Sequence, residues 1–222
     1  MQIFDVDFAV NLLPLMLRYL MVTLTMSVLA LCLALILALI IVLINQAKLK
    51  GLSLLAKVYV SFFRGTPLIA QMFFLYFGVV QLIPALKGLD AFTAAVIALS
   101  LNASAYMSET LRGAILSVDK GQMEACLSVG MTQLQAMRRI VLPQATRVAI
   151  PGLSNNFVDI IKGSALSFTL GVTELMATAQ MEGAASYRFL ESFTDVIVMY
   201  WVITLTFGYL QQKLEFKLNQ AY

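Results

Sequence analysis

Between Leu20 and Ile44 the chain runs for 25 residues without a charged side chain. As an α-helix this stretch is about 37 Å long, against roughly 30 Å for the hydrocarbon core of a bilayer. Lipid suits such a segment, because a helix satisfies all of its backbone hydrogen bonds internally. Composition agrees: 60% of the 222 residues are hydrophobic and 12% are charged, about half the charge of a soluble domain. The expected fold class is an all-α integral membrane protein in a lipid bilayer. The net charge of +3 forms no basic stripe with interleaved aromatics, so no nucleic-acid partner is expected. With no histidine, and with Cys32 and Cys126 far apart, no metal or redox site is expected either. The early charges are Asp5 and Asp7, and the first basic residue is Arg18. That order is unlike a cleavable signal peptide, so the first span is expected to stay in the protein.

Residues 1–19, with Pro14 in their middle, read as a separate interfacial helix, which leaves 20–222 as the membrane domain. Ala30, Ala34 and Ala38 offer the first span a small-residue face for close packing. Lys48, Lys50, Lys57 and Arg64 alternate with Leu52, Leu55, Tyr59 and Phe62, which suggests a surface-lying or entering helix. Further spans are expected at 65–86, 91–116, 148–166 and 195–212. Within 167–194, Thr173 is a plausible cap for a short helix beginning at Glu174. Eleven of the fifteen basic residues fall on one side of this arrangement, and Arg18, Lys87 and Arg188 on the other. The positive-inside rule then places the N-terminus outside and the C-terminus in the cytoplasm, with five transmembrane helices.

The cytoplasmic loop 117–147 carries its own local design. Asp119 can cap a first helix, with Gln122 completing a box-like pair, and Gly130 can end that helix in a left-handed conformation. Thr132 and Gln135 form a second capping pair, with Met131 as the preceding apolar staple, and Pro143 closes or kinks the segment. Inside the membrane, polar residues are costly and invite a functional reading. Asn102, Tyr106 and Glu109 share one helical stripe, and Asn155, Asp159 and Lys162 share another, with Asn156 beside them. Such stripes could offer an acidic partner and hydrogen-bond donors to a zwitterionic amino acid. They could equally be neutralised locally, Asp159 by Lys162 and Glu109 by Arg112. No GxxxxGK[ST] string occurs, so ATP binding by that route is not expected.

The spacing of Glu124, Ala125, Cys126, Gly130, Met137, Ile140, Leu142 and Pro143 resembles the EAA loop of binding-protein-dependent ABC importer permeases. Cys126 stands where a second alanine is usual, and Met137 where an aromatic is common. FFRGTPLIAQ (62–71) resembles the polar amino-acid branch of that family, and NNFVDIIKGSAL (155–166) its fourth span. In the latter, Lys162, Gly163, Ser164 and Ala165 replace the more usual Lys-x-Thr-Ser. FRGTPLIAQ, SLNASAY and SETLRGAI look most like cystine-type permeases.

The resemblance implies a type I ABC importer-like permease that carries a polar amino acid by alternating access. It further implies a second permease subunit, as homodimer or heterodimer, two ABC ATPase subunits and an extracytoplasmic solute-binding protein. The chain itself would bind no cofactor, with ATP used by the partner ATPase, and would not be an enzyme. Gln122, Glu124, Ala125, Gly130, Leu142 and Pro143 would then couple to the ATPase. Asn102, Tyr106, Glu109, Asn155, Asn156, Asp159 and Lys162 are the candidate substrate contacts. A rival reading is a non-transporting membrane sensor or scaffold whose cytoplasmic loop docks a partner.

Overall fold

The structure, a computed structural model, describes residues 4–47 and 49–219, with side chains through Lys217. Lys48, part of the basic loop, lies outside the described residues, as do residues 1–3. The described residues form helices joined by short turns, with no strand among them. Its elements are α1 (Val6–Gln46), α2 (Lys50–Gly65), α3 (Leu68–Leu82), α4 (Ala91–Leu116), α5 (Lys120–Ser128), α6 (Gln133–Leu170), α7 (Leu175–Ser186) and α8 (Phe189–Asn219). Among the described residues, α1, α4 and α8 are each long and apolar enough to cross a membrane. The pairs α2–α3 and α6–α7 also qualify when taken together, each bent at a short break, by 112° and 49° respectively.

The N-terminal stretch corrects one expectation. It is no separate helix: α1 runs unbroken for 41 residues from the Asp5 cap, whose carboxylate accepts from the Phe8 N–H. Pro14 sits inside it and removes a single backbone donor. The helix continues through that defect because Leu12 and Met16 are buried in one apolar cluster with Ile161 of α6, Leu175 of α7 and Val196 of α8. At about 61 Å, α1 is twice as long as a hydrocarbon core is thick.

The small-residue face of α1 is fully used. Ala30, Ala34 and Ala38 are completely buried in a cluster with Ala94, Ala95, Ala98 and Leu99 of α4. Small side chains on both helices let the two backbones approach closely. Asp90 caps α4, accepting from the hydroxyl and the N–H of Thr93. The Thr93 hydroxyl first, and then its amide, hold the Asp90 carboxyl below its ordinary range.

α6 and α4 meet at Gly152. A Cβ built there would lie 2.5 Å from Thr110 Cγ2, a short branched side chain on α4. Gly152→Ala is therefore expected to lower stability by about 1–3 kcal/mol through overpacking. Adding Thr110→Ser removes the offending methyl and should restore most of the loss. Thermal unfolding of the detergent-solubilised protein measures both; an unshifted melting temperature for Gly152→Ala would contradict the packing.

The start of α7 corrects a second expectation. Its cap is Glu174, one residue beyond the expected Thr173, and the helix begins at Leu175. Glu174 is wholly buried. Its Oε1 accepts from the Ala177 N–H, while Oε2 accepts from the hydroxyls of Thr23 on α1 and Tyr200 on α8. One carboxylate thus ties three helices together, which a threonine cap could not do.

Candidate functional site

The two polar stripes face each other. Asn102 and Tyr106 of α4 and Asn156 and Asp159 of α6 line one cleft of about 300 Å³, closed on its apolar side by Leu68, Leu99, Ala103 and Ile160. Thr110, one turn beyond Tyr106, donates its hydroxyl to Asn156 Oδ1 at 3.0 Å and pins the two helices at the cleft's edge. Amide, phenol and carboxylate groups against aliphatic walls make a pocket suited to a small polar solute.

Not every candidate lines it. Asn155 is exposed and does not line the cleft, although it lies one turn before Asp159. Glu109 lies beyond the cleft, with its carboxylate 2.7 Å from Arg112 and 3.6 Å from Arg64. Lys162 pairs with Asp159 at 2.8 Å, and both side chains are more than half exposed. The i,i+3 neutralisation weighed from sequence is thus present at both places. The exposed Asp159–Lys162 pair contributes little by itself, which leaves Asp159 free to exchange partners.

Two contributors were not singled out from sequence. Gln71 on α3 is buried and accepts from Asn102 Nδ2 at 2.9 Å. Its own amide donates to Thr66 Oγ1 at 2.7 Å and reaches the carbonyls of Phe63 and Thr66. Asn102 donates to the Phe63 carbonyl as well. Together they clamp the 62–67 turn to α4 and set where the sharply bent α3 begins. Arg64, in the same turn, lies 5.5 Å over the Tyr106 ring, a cation–π distance. Arg64, Tyr106 and Glu109 therefore form one polar layer beside the cleft. The signal for Gln71 was its neighbourhood: an amide five residues after a turn threonine can fold back onto it.

At the other end of α6, the loop follows its expected helix–corner–helix plan with two changes. Gly130 has φ +83°, as a left-handed corner requires. Thr132 and Gln135 form a complete reciprocal capping box. Asp119 and Gln122 do not: Asp119 accepts from the Gly121 N–H, and the Gln122 amide oxygen instead faces Gln144 Nε2 at 3.5 Å. Nor does Pro143 close the segment. A π turn over Met137–Val141 precedes it, and the helix then continues as Leu142–Ser164. The wider turn makes room for a residue that has no N–H to give.

α5 projects with Gln122, Glu124 and Ala125 exposed and only Cys126 buried. It is a short helix that presents its side chains outward on a rigid, capped corner. Gly130→Val places a β-branched residue at φ +83°, at a cost of about 1–2 kcal/mol. It is expected to detach α5 locally, seen as faster proteolysis within 120–135 while the rest of the chain keeps its protection. Unchanged proteolysis there would contradict a strained corner.

Comparison with known proteins sets these two features in context. The family model described as "Binding-protein-dependent transport system inner membrane component" matches residues 46–220. The chain is 51% identical over 219 residues to the probable amino-acid ABC transporter permease protein PatM of Vibrio harveyi, covering 99% of this chain and 98% of that one. It is 39% identical over 200 residues to the L-cystine transport system permease protein TcyB of Bacillus subtilis (strain 168), covering 89% and 84%. Among solved structures, the crystal structure of an amino acid ABC transporter with histidines superposes with a TM-score of 0.91 and 35% identity. That match covers 98% of this chain and 100% of the other.

Proposed function

We propose that this chain, which belongs to the family of binding-protein-dependent transport system inner membrane components, is the permease subunit through which a polar amino acid enters the cell. It is a multi-pass protein of the cell membrane with a type I ABC importer permease fold. The observation that carries the substrate reading is the meeting of Asn102, Tyr106, Asn156 and Asp159 across one cleft between α4 and α6. Asp159 supplies a carboxylate for the substrate ammonium, and the side-chain amide of Asn156 offers a donor to its carboxylate, while Asn102, whose two amide hydrogens go to Gln71 and the Phe63 carbonyl, shapes the wall. Arg64 and Tyr106 border the cleft on the side of Glu109.

Counting each bent pair as one span gives five, and the distribution of basic residues then favours an N-terminus outside and the α5 loop in the cytoplasm. There the loop fits the role of the EAA element. Glu124 and its neighbours dock on an ATPase subunit, and the capped corner at Gly130 and the stiff α6 relay the ATPase's closure to the cleft. ATP is used by that separate subunit. A second permease chain and an extracytoplasmic solute-binding protein complete the assembly. Cystine is the narrower substrate reading, supported by the resemblance of FRGTPLIAQ and SLNASAY and by the similarity to TcyB.

The test is to purify the tagged chain from its native host in mild detergent and identify its companions by mass spectrometry. An ABC ATPase and a solute-binding protein should co-purify, and ligand screening of that receptor should return an amino acid. Recovery of the chain alone, or with a kinase or protease, would overturn the importer reading in favour of a sensor or scaffold.

A further inference from the structure

A second groove, of about 770 Å³, opens where the ends of α1 and α4 meet α2, lined by Asn45, Lys50, Ser53, Lys57, Glu109 and Arg112. Its charges do not cancel. Lys50 and Lys57 are exposed and have no ion-pair partner among the described residues. The carboxylate in the groove, Glu109, is already held by Arg112 and Arg64. Arg112 spends Nε and Nη2 on Glu109, so its Nη1 hydrogens stay available to a second anion. Ser53 donates to the Ile44 carbonyl and fixes α2 against the end of α1, so the walls are built rather than loose.

α2 explains what kind of anion fits. Lys50, Ser53, Lys57, Ser61 and Arg64 recur along one stripe of the helix. A second face, with Tyr59 and Phe63, meets α4, where the Tyr59 hydroxyl donates to the Leu101 carbonyl. Leu55, Val58 and Phe62 stay between 49% and 65% exposed. A helix with a basic stripe and a bare apolar face has the form of one lying in the membrane interface. A basic pocket beside such a helix is a recurrent setting for lipid phosphates.

We propose that this groove binds the headgroup of one anionic phospholipid, with Lys50, Lys57 and Arg112 around its phosphate and the exposed apolar face of α2 beside its acyl chains. Assignment to the cytoplasmic leaflet rests on the orientation proposed above; the binding itself does not. The test is native mass spectrometry of the detergent-purified transporter, titrated with phosphatidylglycerol and with phosphatidylcholine of the same acyl chains. Phosphatidylglycerol should bind at least about tenfold more tightly. At roughly a factor of five per cation at an anionic headgroup, the Lys50→Gln/Lys57→Gln pair should weaken it about thirtyfold. The Lys50→Arg/Lys57→Arg pair should keep it, and inorganic phosphate should not displace it. If the glutamine pair fails to fold, Lys57→Gln alone should give about a fivefold loss. Equal affinity for the two lipids, or binding unchanged by the glutamine substitutions, would overturn the proposal. So would displacement by inorganic phosphate, which would mark a soluble-anion site. Loss of a cytoplasmic partner without loss of lipid would instead mark a protein-docking surface, and would overturn it too.

Discussion

Glu124→Lys is expected to reduce ATP-driven uptake at least tenfold while leaving the chain folded and in the membrane. Glu124 is exposed on α5 and makes no ion pair among the described residues. A substitution at such a position changes intrinsic stability by only about 0.5 kcal/mol in either direction. A large loss of transport would therefore have to arise from the partner surface that meets this residue. Reversing a charge in a docked interface creates a like-charge contact and weakens association as well as transmission. Uptake into proteoliposomes, read beside the melting temperature and the amount of co-purified ATPase, separates coupling from folding. Uptake equal to that of the unsubstituted protein would remove α5 as the coupling element.

Asp159→Asn should lower uptake by at least tenfold, whereas Lys162→Gln should cost only a fewfold. The two side chains are bonded at 2.8 Å. If the pair served only to neutralise itself, removing either partner would have similar consequences. If Asp159 exchanges Lys162 for the substrate ammonium, the consequences differ, because the substrate needs the carboxylate, whereas the lysine only holds that carboxylate in place before the substrate arrives. Asp159 lines the cleft and Lys162 does not. A tenfold loss corresponds to about 1.4 kcal/mol, within what a close charge pair at a binding surface supplies. Equal losses in the two variants would reduce the pair to a structural tether.

Periodicity made the membrane helices and the two polar stripes legible, because depth and face follow directly from residue number along a helix. Ala30, Ala34 and Ala38 were readable for the same reason, as was the Thr132–Gln135 box, a short-range device whose members lie three residues apart. What sequence order hid was set by contacts between distant segments. Residues 1–19 read as a separate helix around Pro14, yet α1 runs unbroken through that proline and past residue 19, because Leu12 and Met16 find partners more than 140 residues away. Thr173 looked like a cap, but Glu174 wins because Thr23 and Tyr200 supply two hydroxyls to its carboxylate. Its sequence signal was a lone charge in an otherwise uncharged stretch, 163–181. Asn102 and Asp159 were identifiable one by one. Their meeting across a cleft, and Gln71's hold on Asn102, depend on how α3, α4 and α6 pack, which a stripe on one helix does not encode.

On the proposed function the substrate passes between α4 and α6. The direct measurement uses a diazirine-bearing analogue of the transported amino acid, irradiated during ATP-driven turnover of the assembled transporter and followed by peptide mapping. Adducts should concentrate on residues 99–106 and 156–160, and excess unmodified substrate should abolish them. Adducts on the separate groove formed by Leu31, Leu35, Phe207 and Gln211, with none on the α4–α6 cleft, would contradict the account.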